Sequence, residues 1–216
     1  MSIIRFNSWI SDAKISLKQF TVILSCWYEG LDIKSISKIT TVSEGTIKNY
    51  FAMFISIAEK EYRLDIDRNK LGIRIVQIDE NHFFKAKYNV GSGLKRNEVW
   101  IFGEIDIETN RVVAEVCYDI YAETLIPIIT STVNSNAIIW SNKCKAYDTL
   151  DNYGFIHNTE NFVDPITKVN SQKIESTWNS IIRFLNKNNY KSRSKIESYV
   201  HEWCFRRNIV NTFDKC

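Results

Sequence analysis

Few side chains in this 216-residue chain have a type and setting that could support catalysis. Asp79 falls in Ile73-Arg74-Ile75-Val76-Gln77-Ile78-Asp79-Glu80, a run rich in β-branched residues and therefore read as a strand. A carboxylate among apolar neighbours is costly to bury unless it is paired or bound to a cation. The plainer reading places it at an exposed strand end. Glu175 lies in Gln172-Lys173-Ile174-Glu175-Ser176-Thr177-Trp178, at the start of a predicted helix. There it is either a metal ligand or an acid that complements the helix dipole. Carboxylate oxygens are the ligands that hard divalent ions require, and Mg²⁺ adds a strict demand on geometry.

The remaining reactive residue types suggest less. His82, His157 and His201 have no metal-ligand spacing and read as surface or core. Cys26, Cys117, Cys144, Cys204 and Cys216 are odd in number and never two residues apart. They indicate neither a zinc knuckle nor a redox pair, and read as reduced thiols of an intracellular protein. Gly91-Ser92-Gly93 lacks the Lys-Ser/Thr and the helix that complete a phosphate-cradling loop, and there is no nucleophile elbow. Trp178, Trp203 and Phe205 read as core rather than base-stacking platforms.

Two regions must position these residues. From residue 12 to about 66 the apolar pattern is helical, with Leu17, Phe20, Ile23, Leu24 and Trp27 on one face. Gly30 is a plausible helix stop, Asp32 a helix N-cap, and Ser43 a second N-cap. In DIKSISKITTVSEGTIKNYF, Ile33, Ile36 and Ile39 are expected to face inward, with Val42 in a turn and Ile47 anchoring the next helix. This order matches a helix-turn-helix, which would offer Ser43, Glu44, Thr46, Lys48 and Asn49 to a DNA groove. An ordinary three-helix bundle fits the same pattern. The expected division is a helical region over 1–70 and a second domain over 71–216.

The second region begins with three strands, near 73–87, 98–105 and 111–118, joined by short links that imply an antiparallel meander. A helix over 122–133, a buried strand over 137–141, a helical turn over 145–150 and a brief strand over 154–157 follow. Helices over 171–185 and 194–207 complete the series. This mixed α/β order matches a ribonuclease-H-like sheet.

Composition is that of an ordinary folded protein, 44% hydrophobic and 25% charged, and only 7 Gly and 2 Pro exclude long flexible linkers. The opening MSIIRFNSWISDAK lacks the apolar core of a secretion signal, and no apolar run is long enough to span a bilayer, so no membrane role is expected. The net charge of +3 does not identify a nucleic-acid binder. From Pro165 onward, however, 10 Lys/Arg stand against 4 acids, a local excess of 6. That excess is either a solvated helical surface or a face for phosphates, with Lys173, Arg206 and Arg207 as candidate contacts.

A series of short motifs then gives a resemblance. Val76-Gln77-Ile78-Asp79-Glu80 with Lys85 beyond it, Trp100-Ile101-Phe102-Gly103, Ala122-Glu123-Thr124-Leu125-Ile126-Pro127 and Ile139-Trp140-Ser141-Asn142 follow one another. Lys145-Ala146-Tyr147, Gly154-Phe155-Ile156-His157, Asn161-Phe162-Val163-Asp164-Pro165, the Glu175 segment and His201-Glu202-Trp203-Cys204-Phe205-Arg206-Arg207-Asn208 come after them. In this order they resemble the DDE domain of Merlin-type transposases and their bacterial insertion-sequence relatives. The resemblance implies Asp79 as first metal ligand, Glu175 as third, a two-ion Mg²⁺ or Mn²⁺ site, double-stranded DNA as partner and a homo-oligomer assembled on it. It also implies a second Asp where this chain has Asn142. A neutral amide does little to gather two divalent ions. Asn142 is either engineered or drifted. The shortened stretch Asn158-Thr159-Glu160-Asn161, without the family's histidine, and Cys144 in place of an aromatic argue for drift. Asp148 and Asp151 are nearby acids, but Asp148 falls on the next helical turn and is expected to point elsewhere. The resulting expectation is a DNA-binding protein with an impaired phosphoryl-transfer core. The alternatives are an active cut-and-paste transposase and a protein-interaction module.

Overall fold

The computed structural model describes residues 15–84, 98–141, 144–158, 172–187 and 195–213. The chain divides into two compact units, Met1–Ile57 and Ala58–Cys216.

In the first unit, α1 (Leu17–Tyr28) opens on Ser16, whose hydroxyl accepts the Gln19 N–H while the Gln19 side chain accepts the Ser16 N–H. This reciprocal box satisfies two amides that a helix start leaves orphaned. The helix stops at Glu29, and Gly30 takes the left-handed φ of 71° expected of it. Asp32 caps α2 (Ile33–Thr40) by accepting from Ser35 N and Oγ. After a three-residue turn, Ser43 Oγ accepts Thr46 N–H at the start of α3 (Glu44–Arg68). Phe20, Ile23, Trp27, Ile36, Val42, Ile47 and Phe54 are buried, with the Phe20 and Phe54 rings in an edge contact at 5.7 Å. Ile39 is not inward as expected: it is 59% exposed. Thr40 is buried instead, because α2 turns its Ile36/Thr40 stripe toward the core. The Thr40 hydroxyl is satisfied by Ile36 O at 2.7 Å, which makes its burial tolerable.

The second unit is built on a five-stranded sheet in the order β3-β2-β1-β4-β5. Strands β1 (Ile75–Phe84), β2 (Val99–Asp106) and β3 (Val112–Cys117) form the antiparallel meander. The chain then crosses through α4 (Ala122–Thr132) to β4 (Ile138–Trp140), which lies parallel to β1, and β5 (Ile156–Asn158) lies parallel to β4. Three antiparallel strands followed by two parallel ones on the far side of β1 is the ribonuclease-H-like arrangement. The expected helical turns after β4 form as two 3-10 turns, Lys145–Tyr147 and Leu150–Tyr153. Gly154, at φ 85°, then starts the return to β5.

Two helices complete this unit, α5 (Gln172–Lys187) and α6 (Ile196–Phe213). The first packs on β1 and β2, the second on β3. β3 is an edge strand, and side chains satisfy the outer backbone groups of Val112 and Ala114. Tyr62 Oη accepts Ala114 N–H at 3.0 Å and donates to Ala114 O at 3.2 Å. Asn208 does the same for Val112, with both bonds 2.9 Å. At these two positions the edge has no backbone group left to pair with another strand. The elements expected to follow the third strand all formed with the expected type.

Candidate active site

Side chains alternate across a strand, so Gln77 and Asp79 share one face of β1. β1 is the central strand, and α5 covers this face. Gln77 Oε1 accepts Ile174 N–H at 3.3 Å, and Asp79 Oδ2 accepts the Trp178 indole N–H at 2.9 Å. Glu175 follows Ile174 directly and precedes Trp178 by three residues, one turn along the helix. The first turns of α5 are therefore fastened over Asp79 with Glu175 among them. Glu175 itself is exposed.

The indole has room because of Gly103, the β2 residue paired with Asp79. A Cβ at this position would come within 2.5 Å of Trp178 Cη2. Asp79 is half-buried, and burial raises its carboxyl above the usual range. The Trp178 hydrogen bond opposes that rise, and the neighbouring Glu80 charge adds to it.

The end of β4 brings in a second group of residues. In the parallel register Trp140 pairs with Gln77, and Ser141 is the last described residue before position 142. A 2.8 Å hydrogen bond joins Ser141 Oγ to His157 Nε2, and Asn158 O accepts Ser141 N–H at 3.1 Å. Burial lowers the His157 imidazole below its usual range. Its ring meets the edge of Tyr147, whose centroid is 6.2 Å away. Tyr147 is fully buried, and its phenol is pushed far up, first by burial and then by the charge of Glu80. Asn142 lies outside the described residues, as do Lys85, the Gly91-Ser92-Gly93 loop and 161–165. Asp148 and Asp151 are described, and both are exposed.

The expected DNA-contacting residues have contrasting surroundings. Ser43, Lys48 and Asn49 are exposed at the start of α3, with Thr46 partly so. Lys173 Nζ donates to Ile107 O at 2.8 Å and to Asn110 Oδ1 at 3.0 Å, which ties α5 to the β2–β3 turn. Arg206 pairs with the buried Glu202 at 2.7 Å. Arg207 is partly buried above the Trp203 ring, 5.4 Å from its centroid, and burial lowers its guanidinium below its usual value. The cationic heads of Lys173 and Arg206 are thus already engaged within the fold.

Sequence reasoning missed Trp178 and Gln77 as residues that hold the site together. Trp178 was rightly expected in the core, but its indole N–H carries the link to Asp79. A buried Gln two residues from a candidate ligand, on the same face, was the available signal.

The sheet order β3-β2-β1-β4-β5, with three antiparallel strands and two parallel ones beyond β1, is that of a ribonuclease-H-like domain. The chain belongs to the ISXO2-like transposase domain family, whose model matches residues 71–208. No curated protein matches the chain. Among solved structures it is similar to the catalytic core domain of BIV integrase, at 12% identity and a TM-score of 0.44, covering 62% of this chain and 82% of that one. It is similar also to the HTLV-2 integrase catalytic core domain in complex with magnesium (trimeric form), at 17% identity and a TM-score of 0.42, covering 62% and 84%. A chain of the simian T-cell lymphotropic virus intasome matches at 14% identity and a TM-score of 0.40, covering 80% and 67%. The fold assignment rests on the strand order and the family match.

Proposed function

We propose that this chain is a transposase-type DNA-binding protein whose DDE core is impaired in phosphoryl transfer. One observation carries the reading: α5 is fastened over Asp79, with Glu175 in its first turn, while the position expected to supply the second carboxylate is Asn142.

The donor set fits a hard divalent ion in part. Asp79 and Glu175 offer anionic oxygens, and Asn142 offers a neutral one. Two carboxylates suit one Mg²⁺ or Mn²⁺ and fall short of the charge that two such ions need. When bound, the ion would polarise a phosphoryl oxygen and favour an attacking oxygen. The chain's own residues hold the pieces in register. Trp178 fixes the Asp79 carboxylate, Gln77 fixes the start of α5, and the Ser141–His157 bond steadies the end of β4 beside position 142.

In this reading the partner is double-stranded DNA. Ser43, Thr46, Lys48 and Asn49 at the exposed start of α3 make the principal contacts with phosphates and base edges. Lys173, Arg206 and Arg207 contribute less, since their cationic heads are engaged or partly buried. Assembly as a homo-oligomer on DNA belongs to the same proposal.

Duplex binding titrated against salt, together with a strand-cleavage assay in Mg²⁺ and Mn²⁺, tests it. Binding should weaken steeply as salt rises. Cleavage should be absent or slow in the natural chain and should rise at least about tenfold in Asn142→Asp, which corresponds to ~1.4 kcal/mol of barrier. Robust cleavage by the natural chain that disappears in Asp79→Ala contradicts the impaired reading. Absence of duplex binding at low salt contradicts the DNA-binding reading and favours a protein-interaction module.

A further inference from the structure

Away from the Asp79 face, where α3 and α6 meet beside the edge strand, a histidine is enclosed by carboxylates. His201 of α6 is completely buried. Its Nε2 lies 3.0 Å from Glu115 Oε2 on β3, and its ring stacks on Tyr62 with the centroids 4.9 Å apart. The other ring nitrogen, Nδ1, is buried and has no hydrogen-bond partner. It points toward Glu59 Oε1, 3.5 Å away on α3. Glu197, one helical turn before His201, adds a third donor, and the three ligand atoms all lie within 4.8 Å of one another.

With the ring proton on Nε2, donated in a hydrogen bond to Glu115 Oε2, the Nδ1 lone pair faces a carboxylate oxygen. Two electron-rich atoms in that position call for a cation between them. Their separation is close to the edge of a tetrahedron around Zn²⁺, about 3.3 Å for arms of about 2.0 Å. The Glu115–His201 bond is also the outer-shell contact that orients a ligating imidazole and raises its basicity. One imidazole and two carboxylates suit a divalent transition ion better than Mg²⁺ or Ca²⁺, which prefer all-oxygen shells.

We propose that Glu59, Glu197 and His201 form a binding site for a divalent transition ion of the Zn²⁺ class, with Glu115 as its outer-shell partner. The site is separate from Asp79 and Glu175, and it pins the Ala58–Arg68 stretch of α3 to α6 over the blocked edge of β3. Arg63 competes for it. Its Nη2 lies 2.9 Å from Glu197 Oε1 and 3.7 Å from Glu59 Oε1, a positive charge at the mouth of the site. Half-exposed, the Arg63 side chain is free to swing out as an ion enters.

The test uses the full chain, stripped of metal, in an Asp79→Ala background so that the other carboxylate site takes no ion. Zn²⁺ is titrated by calorimetry and by thermal melting, and Co²⁺ is added as a visible-absorption probe. The expected result is one Zn²⁺ per chain, a raised melting temperature, and the intense visible bands of four-coordinate Co²⁺. Glu59→Gln and Glu197→Gln should each weaken binding more than about tenfold, and Glu115→Gln about ten- to a hundredfold. Arg63→Gln should tighten it, a change that a purely structural ion-pair cluster gives no reason to expect. Glu197 and Arg63 are about half exposed, so their variants should fold. Absence of binding at millimolar Zn²⁺, binding indifferent to Glu59→Gln and Glu197→Gln, or an NMR signature of both protons retained on His201 in the presence of Zn²⁺ would overturn the assignment.

Discussion

Glu104 and Asp106 stand two residues apart on β2 and both are buried, yet their carboxyl groups are driven in opposite directions. Burial pushes both up. At Asp106 the backbone N–H groups of Thr109, Gly72, Ile73 and Glu108 all point at the carboxylate and hold it below its ordinary value. Glu104 has no such cradle. The nearby Thr132 hydroxyl, which donates to Ile128 O, offsets the effect of burial only in part. Burial raises Glu104 to about 8, and the Glu115 charge adds to the rise. The folded state therefore holds this proton more tightly than the unfolded chain, where a Glu titrates near ~4.3. The sign of the linkage follows: the contribution is fully present below about pH 4.3 and is lost as pH rises through about 8. Urea unfolding at pH 5 and pH 9 should show the natural protein losing stability on the order of a few kcal/mol from this group, while Glu104→Gln loses much less. Equal pH dependence in both proteins would count against a neutral buried Glu104. None of this was readable beforehand, since a Glu in Trp100-Ile101-Phe102-Gly103-Glu104-Ile105 looks the same with or without a cradle.

At the scale of elements, local chemistry announced itself well. The N-caps Asp32 and Ser43, the Gly30 stop and the β-branched runs of β1 to β3 all mark elements that formed close to the expected bounds. The exceptions share a cause. Which stripe of α2 turns inward depends on what α1 and α3 present to it, so Ile39 and Thr40 exchanged places. The short segment at 145–153 has too few residues for its period to fix which kind of helical turn forms. Gly103 is a glycine whose reason appears only in the packed element: it leaves room for Trp178. Gly103→Ala should displace the indole, loosen its bond to Asp79 and cost on the order of 1–3 kcal/mol in denaturant unfolding. A change below about 0.5 kcal/mol, the range of neutral surface substitutions, would show that the β2–α5 contact is slack.

At the scale of the molecule, the candidate site is assembled from parts far apart in the chain. Asp79 and Trp178 are 99 residues apart, and Gln77 and Ile174 are 97 apart. Single-sequence periodicity carries no information over such separations. Asp79 and Glu175 were named beforehand by resemblance, whereas the hydrogen bonds that bring the start of α5 over β1 were not. The Glu59–Glu197–His201 cluster escaped for the same reason, since its acids and imidazole come from two helices more than a hundred residues apart.

The central claim concerns what two carboxylates and one amide can hold. Crystals of the natural chain and of Asn142→Asp, soaked in Mn²⁺ and measured for anomalous scattering, test it most directly. At most one ion, at partial occupancy, should lie beside Asp79 and Glu175 in the chain with Asn142, and two should appear when position 142 carries a carboxylate. Two fully occupied ions in the natural chain would contradict the account.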